Sequence, residues 1–129
     1  MGMSRGNVMA FRSALGAAII VVAYLATTPL HVPLVENVND KVNHVLAFFV
    51  LGLLADFSFP ERGFGASKIL ALLGYGLLIE VVQYFLPYRS FSLYDLAADA
   101  VGLALYGCAV PAIKKLPWLR GRWQGQVAR

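Results

Sequence analysis

Three acidic residues lie inside stretches of sequence that are otherwise apolar enough to cross a membrane. Glu80 occurs in GYGLLIEVVQYFLPYR, and Asp95 and Asp99 occur in SFSLYDLAADAVGLALYG. A charged side chain at the centre of a membrane helix costs about 2.5–3.5 kcal/mol on insertion scales, so such residues usually face the bundle interior and have a partner. Arg89, in the turn between the two stretches, is the nearest candidate partner. The pattern predicts a polar site inside a membrane.

Other polar residues are expected at the same depth as these acids. Asp40, His44 and Phe48 are spaced four residues apart and therefore share one helical face. Lys41 and Gln83 lie close by on their own segments. The predicted functional cavity consists of Asp40, Lys41, His44, Phe48, Glu80, Gln83, Arg89, Asp95 and Asp99.

One chemistry available to this set is the binding of an anionic head group. Arg89, Lys41 and a protonated His44 can hold a phosphate or carboxylate, with the acyl portion of a lipid lying between the helices. This hypothesis describes a protein that binds an envelope lipid or a lipid-like glycopeptide without changing it.

The alternative chemistry is catalysis by a small membrane-embedded hydrolase or transferase. Glu80 or His44 can act as a general base, and Asp95 with Asp99 can form an acid pair or a metal site. No catalytic residue is assigned, because the chain has no G-x-S-x-G, no H-E-x-x-H and no catalytic cysteine context. No motif indicates a cofactor or a resident metal, so none is expected, and whether the protein is an enzyme stays open.

Each residue also has a purely structural interpretation. Buried hydrogen bonding can account for the acids, a satisfied core histidine for His44, and a helix cap and a snorkelling side chain for Asp40 and Lys41. Arg89 can serve as an internal tether. Proton movement is disfavoured, because the acids occupy one leaflet only and the chain has no internal repeat.

Four apolar segments must position these residues. At ~1.5 Å per residue, helices of this length cross ~26–32 Å, close to the ~30 Å hydrocarbon core. The short connections predict an all-α, four-transmembrane-helix antiparallel bundle that forms a single domain over residues 1–129. The first segment is expected to be a retained anchor and not a cleaved signal peptide. The segments are 13–29, 42–59, 67–86 and 93–113.

Composition and charge agree with a membrane protein. Of the 129 residues, 59% are hydrophobic and 14% are charged, whereas soluble domains carry about 25% charged residues. The net charge of +4 arises from basic residues at segment ends, so membrane orientation explains it better than nucleic-acid binding does. No nucleic-acid partner is expected.

The distribution of the basic residues predicts the orientation. Four spans place both termini and the second loop on one side, which the positive-inside rule makes cytoplasmic. The other side has only Lys41 and Arg89, so the predicted cavity faces outward. Nine of the eleven basic residues lie on the cytoplasmic side: Arg5, Arg12, Arg62, Lys68, Lys114, Lys115, Arg120, Arg122 and Arg129.

Two motifs resemble those of the VanZ-like family of small bacterial membrane proteins. The run DKVNHVLAFFVLG (Asp40–Gly52) is similar to the family's first motif, and EVVQYFLPYRSFSLYDL (Glu80–Leu96) is similar to its second. Gly102 follows where the family places a glycine. Asp99 departs from the pattern, since the family usually has asparagine there. The resemblance covers close to half of the chain.

The resemblance implies a protein of the bacterial inner (cytoplasmic) membrane. The expected protein is multi-pass, and the charge distribution predicts that both of its termini are cytoplasmic. The family is named for a protein associated with resistance to the glycopeptide antibiotic teicoplanin, but many members lie outside resistance clusters. The expected partners are therefore membrane lipids, among them a lipid-linked envelope precursor or a lipoglycopeptide. The oligomeric state stays open, because small residues such as Ala98 and Gly102 can pack within the bundle or between protomers.

Overall fold

The residues that the structure describes form four long α-helices. The computed structural model describes residues 3–29, 40–89 and 91–123. All four helices are long and apolar enough to cross a membrane, and the described residues contain no strand. The predicted all-α, four-helix membrane architecture is confirmed. The helices are α1 (Arg5–Thr27), α2 (Asp40–Ser58), α3 (Ala66–Tyr84) and α4 (Leu93–Ile113).

Helix boundaries agree with the apolar segments except at the start of α1. That helix begins at Arg5 and not near residue 13, because Ser4 caps it and accepts a hydrogen bond from the backbone N–H of Asn7 at 3.1 Å. Arg12 lies inside the extra turns, and its Nε donates to the carbonyl oxygen of Ser58 at 2.9 Å. A search for apolar runs misses these turns because Arg5, Asn7 and Arg12 interrupt their apolar residues.

The core is centred on the contact between α2 and α4, which is the most extensive in the bundle. Helix α1 packs mainly against α2 and buries none of its residues fully. Helix α3 lies against the other three. The buried residues at the centre come from α2, α3 and α4 and are Phe48, Leu51, Ala55, Leu72 and Leu103.

Gly102 lies at a close approach of α2 and α4. A Cβ atom built on Gly102 would clash with the carbonyl oxygen of Val45 and lie 3.0 Å from the backbone nitrogen of Phe49. Ala98, one turn earlier, is also buried within the chain. These small residues therefore act inside the bundle, where they let two helix backbones approach.

The bundle has two polar ends. The His44 end contains the C-terminus of α1, the N-terminus of α2, the C-terminus of α3 and the N-terminus of α4. The Asp56 end contains the opposite termini of these helices. The two ends differ in their charged residues and in the partners of these residues.

The Asp56 end is closed by a buried ion network. The carboxylate of Asp56 is fully buried. Its Oδ1 lies 2.9 Å from Nζ of Lys68 and 2.7 Å from a guanidinium nitrogen of Arg122. Its Oδ2 accepts a hydrogen bond from the Tyr106 hydroxyl at 2.6 Å. Lys68 and Arg122 also donate to backbone carbonyls of the loop after α2, including that of Arg62. In the sequence these two cations indicate only orientation, whereas the structure buries both and uses them to fix this loop.

Candidate functional site

Polar side chains from three helices meet at the His44 end because the helices are antiparallel. His44 lies about one turn after the start of α2, Glu80 about one turn before the end of α3, and Asp95 and Asp99 in the first two turns of α4. At ~1.5 Å per residue these positions are ~3–9 Å from the helix ends. The predicted common depth of these residues is thus explained by the topology of the bundle.

His44 is held between two carboxylates of α4. Its Nδ1 lies 2.7 Å from Oδ1 of Asp99, and its Nε2 lies 3.6 Å from Oδ2 of Asp95. The first distance is a hydrogen bond, and the second is too long to be one. Lys41 forms an ion pair with Oδ1 of Asp95. Asp95 therefore faces a lysine on one side and the imidazole on the other.

Glu80 is fully buried and makes one hydrogen bond to the residues that the structure describes. Its Oε2 accepts from the backbone N–H of Ser92 at 2.9 Å, at the start of α4. Its other oxygen, Oε1, is buried and has no hydrogen-bond donor among the described residues. From the sequence, Arg89 is expected to be the charged partner of Glu80, and this expectation is wrong. The carboxylate of Glu80 accepts a backbone N–H instead, and the guanidinium of Arg89 donates to carbonyl groups at the end of α1.

The last turn of α1 receives Arg89, together with Gln83 and Tyr88. The final carbonyl groups of a helix lack partners within it, and these side chains supply donors. Gln83 and Arg89 thus hold α1 against the bundle and do not contact the carboxylates. The acceptors are the carbonyl oxygens of Leu25 (3.0 Å) and Thr28 (2.9 Å) for Arg89, Ala26 (2.8 Å) for Gln83 and Thr27 (2.5 Å) for Tyr88.

Phe48 and Gly76 form the base of the site. A Cβ atom built on Gly76 would lie 2.5 Å from Oδ2 of Asp99 and 3.1 Å from the Phe48 ring. Phe48 is 2% exposed and belongs to the core. It separates the polar residues from the apolar centre of the bundle. From the sequence, Gly76 is expected to allow close helix packing and is not assigned to the site, although its position one turn before Glu80 places it on the same face of α3.

The structure therefore divides the predicted site residues into two groups. The His44 cluster consists of Lys41, His44, Glu80, Asp95 and Asp99, with Phe48 beneath it. Gln83 and Arg89 belong to the attachment of α1. Asp40 is the first residue of α2, and its side chain lies outside the described part of the chain.

The charge balance of the His44 cluster is acidic. Three carboxylates, those of Glu80, Asp95 and Asp99, face Lys41 and the imidazole of His44. Because Arg89 donates to α1, it does not add a second permanent positive charge. The cluster offers oxygen and nitrogen acceptors, an oriented imidazole and one lysine. It suits a ligand that brings hydrogen-bond donors or a cation.

A separate cavity of about 510 Å³ lies between α1, α2 and α3, toward the Asp56 end. Its walls are mostly apolar side chains, including Leu15, Ile19 and Leu72. Lys68 also lines it, but its ammonium group is already bound by Asp56 and by loop carbonyls. This space can hold apolar groups and is distinct from the His44 cluster.

The chain is similar to known proteins over most of its length. A family model described as VanZ/LLP1 matches residues 8–113. An uncharacterized protein of the fission yeast Schizosaccharomyces pombe is 40% identical over 92 residues, which cover 67% of this chain and 54% of that protein. The chain thus spans about half the length of this curated relative. No solved structure matches it.

Proposed function

Because the chain belongs to the VanZ/LLP1 family, we propose that it is a multi-pass membrane protein that binds the polar head group of a membrane lipid at the His44 end of its bundle. The observation that carries this proposal is the convergence of buried Glu80, Asp95 and Asp99 with His44 and Lys41. Ionisable residues within membrane spans are costly and commonly mark binding sites.

The depth of the His44 cluster supports a head group as the ligand. The cluster lies ~3–9 Å from the helix ends, near the boundary between hydrocarbon and head groups. The helix faces nearby carry exposed apolar side chains such as Leu46 and Leu78. A lipid can therefore place its head at the cluster and its acyl chains along these faces.

The orientation of the protein completes the proposal. Of the ten basic residues that the structure describes, eight lie at the Asp56 end, and Lys41 and Arg89 lie at the His44 end. By the positive-inside rule we infer that both termini are cytoplasmic and that the His44 end is on the outer side. In a bacterium this would be the inner membrane, with the site facing the envelope.

Two observations narrow the class of lipid: the acidic charge of the His44 cluster and the similarity to a yeast protein. An acidic cluster favours head groups that carry hydroxyl or amine donors, and it disfavours a bare carboxylate. Similarity to a fission-yeast protein favours a lipid common to many membranes over a bacterial lipid-linked precursor or a teicoplanin-type lipoglycopeptide. A link to glycopeptide resistance would rest on this same binding function.

Photocrosslinking tests lipid binding directly. Purified protein in bilayers would be irradiated with phospholipids that carry a diazirine in the head group, and the crosslinked peptides would be mapped by mass spectrometry. We expect crosslinks in residues 41–48, 77–84 and 92–99, and their loss in Glu80→Gln. The control Glu61→Gln changes an exposed carboxylate at the other end and should leave them intact. Equal labelling of both ends in all three proteins would contradict the proposal.

Catalysis on the bound lipid is the second candidate function. The hydrogen bond of 2.7 Å between His44 and Asp99 favours it, because a carboxylate-oriented imidazole beside another carboxylate can act as a general base. Incubation with phospholipids followed by mass spectrometry of the products would reveal a released head group or acyl chain. Turnover that is lost in His44→Ala would establish hydrolysis or transfer, and its absence across the lipids that crosslink would leave binding alone.

A further inference from the structure

Three possible metal ligands come together in the His44 cluster from three different helices. One atom each of His44, Glu80 and Asp95 lies within 4.8 Å of the other two. Proximity of acidic groups alone does not establish a metal site. Two further features, the buried oxygen of Glu80 and the orientation of His44, point to a cation.

The first feature is the unsatisfied oxygen of Glu80. The carboxylate is 0% exposed, and Oε2 already accepts from the backbone N–H of Ser92. Oε1 is buried and receives no hydrogen bond from the described residues. Burying a carboxylate oxygen without a hydrogen-bond donor costs free energy, because the oxygen loses its hydrogen bonds to water and forms none in the protein. A metal ion supplies the missing positive partner.

The second feature is the orientation of the imidazole. With the Asp99 carboxylate accepting from Nδ1–H, the other ring nitrogen, Nε2, points its lone pair to the side of Asp95. Histidine ligands commonly donate their second N–H to a carboxylate, which fixes the ring and its tautomer. Asp99 is therefore a positioning residue: it contacts the imidazole of His44 and not the proposed metal.

The separation of His44 and Asp95 fits two ligands of one ion. Nε2 and Oδ2 lie 3.6 Å apart, which is too far for a hydrogen bond. Ligand atoms bound to a tetrahedral ion at about 2.0–2.1 Å are about 3.3 Å from each other. Small side-chain rotations would bring the pair to that separation without moving a helix.

We propose that His44, Glu80 and Asp95 bind one divalent transition-metal ion, with Asp99 orienting the imidazole. The set of one nitrogen and two oxygen ligands matches Zn²⁺ or Mn²⁺ better than Ca²⁺ or Mg²⁺, which take oxygen ligands almost exclusively. Three protein ligands leave a coordination position for an outside group. That group would be the phosphate of a lipid head, a step that rests on the proposed function, whereas the metal site itself does not.

Metal analysis of the protein tests the site without any lipid ligand. Protein purified without a histidine tag would be stripped with a chelator, reloaded with Zn²⁺ and measured by elemental analysis and calorimetric titration. We expect one equivalent of tightly bound metal in the wild type and in the control Glu61→Gln. Glu80→Gln should bind the metal more than about 100-fold more weakly, because the loss of a direct ligand should exceed the loss of about 10–100-fold that is typical when only a residue orienting a ligand is changed. Equal affinity in Glu80→Gln and the wild type, or no stoichiometric binding in the wild type, would overturn the inference.

Two additions keep the result decisive. If Glu80→Gln does not fold, Co²⁺ loaded into the wild type should give the visible absorption of a four- or five-coordinate site, and an octahedral spectrum identical to that of Co²⁺ in buffer would overturn the inference. Repeating the lipid crosslinking with metal-free protein separates the two proposals. Metal binding without lipid crosslinks would contradict only the proposed function, and crosslinks without metal binding would contradict only this inference.

Discussion

The imidazole of His44 and the carboxylate of Asp99 form a hydrogen bond of 2.7 Å between α2 and α4 at the acidic end of the bundle. The carboxylate is almost completely buried, with 1% of its side chain exposed. It lies against the backbone of Gly76 on α3. This hydrogen bond thus links α2 to α4 and sets the direction in which the imidazole points, and the same carboxylate packs on α3.

Asp99→Asn should lower the metal affinity of the site while leaving the stability of the fold nearly unchanged. An asparagine oxygen can still accept from Nδ1 of His44, so we expect the free energy of unfolding to change by no more than about 1 kcal/mol. Metal affinity should fall by about 10–100-fold, because the neutral amide makes the imidazole a weaker ligand. Detergent-titrated unfolding and Zn²⁺ titration of the same preparation measure both quantities. Unchanged affinity would show that Asp99 does not position His44 for a ligand.

Gly76→Ala should displace the side chains at the base of the site. The new methyl group would lie 2.5 Å from Oδ2 of Asp99 and 3.1 Å from the Phe48 ring, so the carboxylate must move. We expect weaker metal binding and weaker lipid crosslinking. Gly74→Ala is the matched control on the same helix, because nothing lies within 4 Å of its Cβ. It should keep the site and stabilise the helix by up to about 1 kcal/mol. Similar losses in both variants would refute this account of Gly76.

Gly102→Ala should weaken the contact between α2 and α4. Its Cβ would clash with backbone atoms of Val45 and Phe49, which cannot rotate away as a side chain would. Overpacking of this kind costs about 1–3 kcal/mol or more. Gly107→Ala, on the same helix, places its Cβ at an ordinary 3.7 Å from Phe64 and should be tolerated. Equal unfolding free energies of the two variants would argue against close helix packing at Gly102.

Asp56→Ala should be the most destabilising of these changes. It would leave the charges of Lys68 and Arg122 buried without their carboxylate, and breaking a buried ion pair costs about 3–5 kcal/mol. Glu61→Ala, an exposed carboxylate at the same end, should change the unfolding free energy by about 0.5 kcal/mol or less. Unfolding measured by circular dichroism compares the two. A loss for Asp56→Ala no larger than that of the control would mean that the network does not fix this end.

Orientation can be tested with single cysteines. In a Cys108→Ser background, Tyr94→Cys introduces a thiol at an exposed position of the His44 end, and Trp118→Cys does so beyond the Asp56 end. The positive-inside rule predicts that a membrane-impermeant maleimide labels only the first in intact cells and both after permeabilisation. The reverse pattern would place the His44 cluster on the cytoplasmic side.

The sequence predicts the four membrane-length helices well, except for the start of α1. Hydrophobic segments of membrane length can be read from composition, and antiparallel connectivity then brings His44, Glu80, Asp95 and Asp99 to one level. Partner choice could not be predicted in the same way. Arg89 is near Glu80 in sequence, but its long side chain reaches the unpaired carbonyls of α1, and a backbone N–H takes the place beside Glu80.

The Asp56 end shows a second limit of sequence reasoning. Lys68 and Arg122 lie far apart in the chain, and each is typical of a residue at a membrane surface. Their convergence on Asp56 depends on how the segment after α4 folds back against the loop after α2. Hydropathy and charge counts do not predict that the segment after α4 packs against this loop.

The most direct test of the central claim is native mass spectrometry of the protein released from its own membranes. A single spectrum resolves bound lipid and bound metal together. We predict that the wild type and Glu61→Gln carry a defined lipid adduct and one divalent metal ion, and that Glu80→Gln loses both. The same adducts in all three proteins would contradict a ligand site at the His44 cluster and would assign its buried charges to the structure of the bundle alone.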